Sequence, residues 1–172
     1  MEAKSGAKLK GKWEIEVFDK DGNFISSSEC HNIVTNEGLD RVLNVMLHAA
    51  TQLTTWYCLL FEDNYAPLAG DTYDVPGFTE CEAYDEATRP EYVEAASVAR
   101  STTNSANKVV FTMNDTKTLY GAALVSLNTK GDHAADPDSV LYCGAKFGAA
   151  QPVIATNVVN LTYTSTSADD GV

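Results

Sequence analysis

A chain of 172 residues, 44% hydrophobic and 21% charged, has the length and composition of one globular domain. It can bury roughly 70% of its unfolded surface, so its core requires neither disulfides nor a metal. A net charge of −12 argues against a nucleic-acid binder, which must displace counterions with a basic surface, and against a protein of anionic membranes.

The charge is unevenly spread. Lys4, Lys8, Lys10 and Lys12 stand against Glu2 alone in the first twelve residues, a balance of +3 that leaves −15 for the remainder. Residues 1–11 read as a flexible basic arm, either lying on an acidic partner or simply a disordered end. Residues 12–166 read as the folded domain and 167–172 as a frayed tail.

KWEIEVFDKDGNFISSSE (12–29) predicts a β-hairpin. Trp13, Ile15 and Val17 alternate with Glu14 and Glu16, the period of a half-buried strand. Asp21-Gly22 supplies the turn and Phe24 opens the return strand. Asp19-Lys20-Asp21-Gly22-Asn23 has the flavour of a calcium loop, but glycine and the closing acid stand at the wrong positions for an EF-hand. Cys30 and His31 are neighbours on a strand and point to opposite faces, so they form no nucleophile–base pair.

NIVTNEGLDRVLNVML (32–47) predicts the chain's one clear helix, over about 36–48. Thr35 or Asn36 can cap it, and Glu37 sits favourably in the first turn. Leu39, Val42, Leu43 and Met46 recur at helical spacing, an amphipathic stripe expected to plug one side of a β-sandwich. On that reading Leu43→Ala costs roughly 2–5 kcal/mol.

LTTWYCLLFED (53–63) predicts a buried strand, with Trp56 read as core rather than as a sugar platform. Residues 64–97 are broken by prolines and glycines and are expected to hold one or two short strands such as FTECEAY (78–84). From Glu62 to Glu94 there are ten acids and a single base, Arg89. The acids read as a solvated face or a calcium-binding surface. Arg89 reads either as a bridge to local carboxylates such as Asp85 or Glu86, or as a contact with a neighbouring subunit. Strands are predicted at 108–113, 118–127, 140–147 and 158–166, with GDHAADPD (131–138) as a surface loop. The sum is a mainly β chain, an antiparallel β-sandwich of jelly-roll-like type with one amphipathic helix after the first hairpin.

No GxSxG, P-loop, GxGxxG or HExxH pattern occurs, and no cofactor or metal is expected. Cys30, Cys58, Cys81 and Cys143 form no CxxC pair and read as reduced, mostly buried thiols of a cytosolically made protein. No secretory segment follows Met1, and no run approaches the roughly 18 apolar residues of a membrane span.

The succession NIVTNEGLDRVLNVML, TTWYCLLFEDNYAP, AGDT, FTECEAYDEATRPEY, NSANKVVFTMNDTKTLYGAALVS and VVNLTYTST resembles a family of small virion proteins of tailed bacteriophages. The shared order N-x-V-x-N-E-G-L-D, T-T-W-Y, G-D-T, T-E…Y-x-E-A-T-R-P, N-S-A and Y-G-A covers about residues 13–165. The GDHAADPD loop and the lysine-bearing N-terminus depart from it. The resemblance implies a decoration (cement) protein on the capsid exterior, a β-sandwich homotrimer whose partner is the major capsid protein. A tail or fibre component is the competing role. No catalytic residues belong to the pattern, so none are carried over; Lys4, Lys8, Lys10, Lys12 and Arg89 are the candidate partner contacts.

Overall fold

Two antiparallel sheets stack face to face in the computed structural model, which describes residues 6–169. The chain runs β1 (Ala7–Phe18), β2 (Phe24–His31), β3 (Ile33–Val34), α1 (Asn36–Leu47), β4 (Tyr57–Phe61), β5 (Ser101–Thr103), β6 (Val109–Thr112), β7 (Lys117–Val125), β8 (Leu141–Val153) and β9 (Val158–Asp169). One sheet has the order β2-β1-β9, with β5 and β6 sharing the far edge of β9; the other has the order β3-β8-β7-β4. The expected antiparallel β-sandwich is therefore the observed architecture.

Alternation explains the first sheet. Trp13, Ile15 and Val17 lie opposite Tyr163, Leu161 and Val159, and all six side chains are buried between the sheets. Trp13 and Tyr163 stack with ring centroids 4.4 Å apart. The hairpin turn forms as expected, with the Asp19 carboxylate accepting from the backbone N–H groups of Asp21 and Asn23 and Gly22 taking φ +82°. That carboxylate is consumed by the turn, as in an Asx-turn.

β5 and β6 leave a gap on β9, and buried Asn104 fills it. Its Nδ2 donates to the Leu161 carbonyl at 3.2 Å and its Oδ1 accepts from the Tyr163 N–H at 2.8 Å. One side chain thus replaces the strand residues missing from the ladder.

The second sheet is covered on both faces, which explains the unbroken apolar run YCLLF. Cys58 and Leu60 face the inter-sheet core. Leu59 and Phe61 face outward onto a second cluster with Tyr73, Phe78, Ala123, Val125 and Leu141. Residues 62–79 form that outer lid. Where β2 approaches β8, Ser26 Oγ donates to Gln151 Oε1 at 2.7 Å and the Ala149 N–H donates to Ser28 Oγ at 3.2 Å. These bonds close one side of the sandwich.

Several expectations are corrected. Residues 7–11 are not a loose arm: they extend β1, paired residue for residue with 165–169 of β9, so 167–169 of the expected tail likewise are not frayed. Backbone pairing needs no apolar side chains, so the Lys- and Gly-rich composition concealed it. The expected looseness of residues 1–5 and 170–172 lies outside the described residues. No strand forms at 78–84; Glu80 and Tyr84 make isolated bridges to Phe61 and Met113 instead.

The largest correction concerns α1. Thr35 is its cap: its hydroxyl accepts from the Gly38 N–H at 3.0 Å and donates to the Leu141 carbonyl. Yet Gly38 is the only buried residue of the helix, and Leu43 is 54% exposed. The stripe does not plug the sandwich, and the large core cost expected of Leu43→Ala falls away. The helix is fastened at its N-terminal turn, where a Cβ on Gly38 would collide with the Tyr142 carbonyl oxygen. Gly→Ala inside a helix ordinarily gains up to about 1 kcal/mol. Gly38→Ala is expected to do the reverse, lowering the thermal midpoint because the backbone of β8 cannot yield.

Candidate partner-contact surface

Arg89 lies in the interior, not at an interface. It is 1% exposed and its guanidinium grips Glu80 in a fork, Nε to Oε1 at 2.9 Å and Nη2 to Oε2 at 2.6 Å. Nη1 donates to the Tyr73 hydroxyl at 2.6 Å and the Leu127 carbonyl at 2.9 Å, and Nη2 to the Asp132 carbonyl at 2.9 Å. All five guanidinium donors are thereby used. The partner-contact role for Arg89 is corrected: a side chain sealed this way cannot meet another subunit. Its bridge runs to Glu80 rather than Asp85 or Glu86, whose carboxylates hold Asn114 and Thr112.

Glu80 also accepts from the Gly131 N–H at 3.1 Å, and His133 Nε2 stands 3.3 Å from it. Burial opposes the charge on Glu80, but the Arg89 fork and the His133 ring outweigh burial and hold its pKa below the ordinary value of 4.5. Arg89 is likewise shifted up: burial works against it, and the bonds to Glu80 prevail.

The lysines separate into two kinds. Lys12 is engaged by Glu14 at 2.8 Å and Glu29 at 2.6 Å, and these hydrogen bonds raise its pKa. Lys8 and Lys10 are exposed on the projecting end of β1 and form no ion pair among the described residues. Lys4 lies outside the described residues.

Sequence reasoning missed an exposed apolar surface, the outer side of α1. Leu39, Leu43, Met46 and Leu47 are 39%, 54%, 73% and 79% exposed. Fully burying such side chains contributes roughly 1.5–3 kcal/mol each, so this face forgoes several kcal/mol in the isolated chain. Behind it lies an open cavity of about 300 Å³, lined by Val42, Val45, Leu53, Trp56, Leu124 and Tyr142 among others. Met46 borders the cavity and the exposed ridge alike, joining them into one apolar surface. The signal in the sequence was the width of the stripe, wider than a small buried face needs.

The cysteines carry no site. Cys58, Cys81 and Cys143 are buried, and Cys30 is partly so. Burial pushes the Cys30 and Cys143 thiols up to about 12 and Cys81 to about 11, far from thiolate chemistry at neutral pH. Among the described residues no group of three or more His, Cys, Asp or Glu is placed to hold a metal, and no helix is long and apolar enough to cross a membrane. No family model matches the chain, and no curated protein matches it.

Removing one partner of a buried fork strands the other charge, so Arg89→Ala is expected to cost about 3–5 kcal/mol in chemical denaturation. Arg89→Lys should recover little of that, because an ammonium cannot reproduce the fork. The pH dependence follows from the lowered Glu80 carboxyl. Its stabilisation is complete above about pH 4.5 and is lost as pH falls through the lower folded value. Stability measured against pH should therefore fall less steeply in acid for Glu80→Gln than for the wild-type chain.

Proposed function

We propose that this chain is a structural, non-enzymatic protein of a tailed-bacteriophage particle, a decoration protein that binds the outside of the capsid and stabilises it. The observation that carries this reading is the apolar outer face of α1, Leu39, Leu43, Met46 and Leu47, which a chain with a complete core leaves to solvent. Monomeric proteins rarely expose a contiguous apolar surface without a contact to make. The ordered block resemblance over residues 13–165 supports the phage assignment. It also suggests a homotrimer and the major capsid protein as partner.

The buried polar groups fit a structural role. Arg89, Glu80, Tyr73 and Asn104 are all spent in fastening loops and sheet edges. A cement protein works by burying area across seams between shell subunits, where many modest contacts add up. The uncommitted Lys8 and Lys10 on the end of β1 give one pole of an acidic body a local positive charge. That polarity orients the protein on an anionic surface of the shell.

The test is reconstitution on particles of the phage that encodes this chain, prepared without it. Saturation at hundreds of copies, with shells that withstand more heat, is the expected result; saturation at a few to a few dozen copies assigns the chain to the tail or its fibres instead. The double variant Lys8→Glu/Lys10→Glu should bind roughly tenfold more weakly, with the difference shrinking as salt is added.

A further inference from the structure

Leu39, Leu43 and Met46 follow one another at spacings of four and three, the spacing of a helix–helix seam, and Leu47 flanks them. A helix of this length is about 18 Å long, enough for such a seam to pack against a second helix but little more. The chain carries a net −12, so copies repel one another across most of their surface. Along the seam and its outer flank, Asn36, Leu39, Leu43, Asn44, Met46 and Leu47 are all uncharged, and Asp40 alone carries a charge. This is where two copies can approach with few carboxylates set against each other, Asp40 on the flank and Glu94 in the cavity wall.

We propose that the outer face of α1 is a self-association surface, on which a second copy of this chain packs helix against helix. The inference rests on the reading of the chain as a multimeric surface protein and names the contact that such an assembly uses. The seam alone falls short of the roughly 800 Å² per partner of a stable interface. The cavity beside Met46 supplies further apolar area, and side chains of the second copy fill it. The same seam meets itself about a two-fold or a three-fold axis, and the mass of the assembly gives the order.

Two variants test the contact on the full chain in solution. Leu43→Glu puts a charge at the centre of the seam while the side chain remains free to reach water in the monomer, so folding should survive by circular dichroism. Self-association, read by light scattering across a concentration series, should weaken by roughly 30-fold or more, the scale of a central interface residue. Leu43→Cys should form an intermolecular disulfide under mild oxidation, because a self-contact brings the introduced thiol against its own copy. Three of the four native thiols are buried and the fourth partly so, leaving the introduced one dominant. Ile154→Cys, 58% exposed in the turn before β9, serves as a control and should not cross-link. A wild-type chain that stays monomeric at high concentration overturns the proposal, as does an assembly that survives Leu43→Glu or fails to cross-link through Leu43→Cys. A monomeric chain that still coats particles overturns this inference and leaves the decoration reading intact. A chain that self-associates through α1 but is absent from particles does the opposite.

Discussion

The fork between Arg89 and Glu80 is the constraint on which the long irregular segment of the chain depends. Residues 62–100 contain no strand, yet residues 62–79 cover the outer face of the four-stranded sheet with Tyr73 and Phe78. A segment without a ladder has no periodic backbone bonding to fix its path, so the path must be set at points. Arg89 sets several at once: it binds Glu80, the Tyr73 hydroxyl and the carbonyls of Leu127 and Asp132. The lid and the loop before β8 are thus gathered onto one guanidinium. A buried ion pair is weak evidence for net stability. Its contribution here is specificity, since any other path for either loop would leave a charge unpaired in the interior.

What could be read from the sequence divides along the same line. Strands buried on one face announce themselves by alternation, and Trp13, Ile15 and Val17, or Val159, Leu161 and Tyr163, point where their period says. The helix was legible with its cap, because Thr35 and the spacing of apolar residues are local features. Its orientation was not. Periodicity shows that a helix has an apolar face but not what that face meets, and half of this one meets solvent. FTECEAY illustrates the opposite error. Its alternation comes from Phe78 and Glu80 both turning inward, one to the outer cluster and the other to Arg89, while its pairing with β4 stops at the single bridge from Glu80 to Phe61. Arg89 was expected to find Asp85 or Glu86, near in sequence, whereas the chain folds back nine residues to Glu80. Such reach is set by tertiary packing and leaves no local trace.

Several residues inside the sequence blocks quoted above take on a physical meaning in this frame. Thr35, Glu37 and Gly38 anchor the helix: the Glu37 carboxylate accepts from the Tyr73 N–H at 3.1 Å and the Leu141 N–H at 2.6 Å. Asp71 holds the Tyr65 hydroxyl and the Leu68 N–H. Asn104 completes the edge of β9, and Gly121 leaves room for the ring of Phe61 and the Ala145 carbonyl. These are buried polar groups and close approaches, for which few substitutes exist. The blocks therefore mark the joints of the architecture. They speak to how the chain folds more than to what it touches.

Contact surfaces obey a different rule. Helix α1 is pinned through its first turn, so its remaining length needs no inward packing to stay in place, and its outer leucines are free to be placed for another molecule. An exposed apolar ridge invites indiscriminate association, and the acidic body counters that by repelling unspecific neighbours. The contacts proposed above fall where carboxylates are sparse or lysines are exposed, at the outer face of α1 and the end of β1, so the same charge opposes them least. Local consistency fails in this protein where a strongly amphipathic helix turns its leucines to water, and such failures concentrate at surfaces kept for function. The core is closed without those leucines, so evolution could tune them for a partner at little cost to the fold.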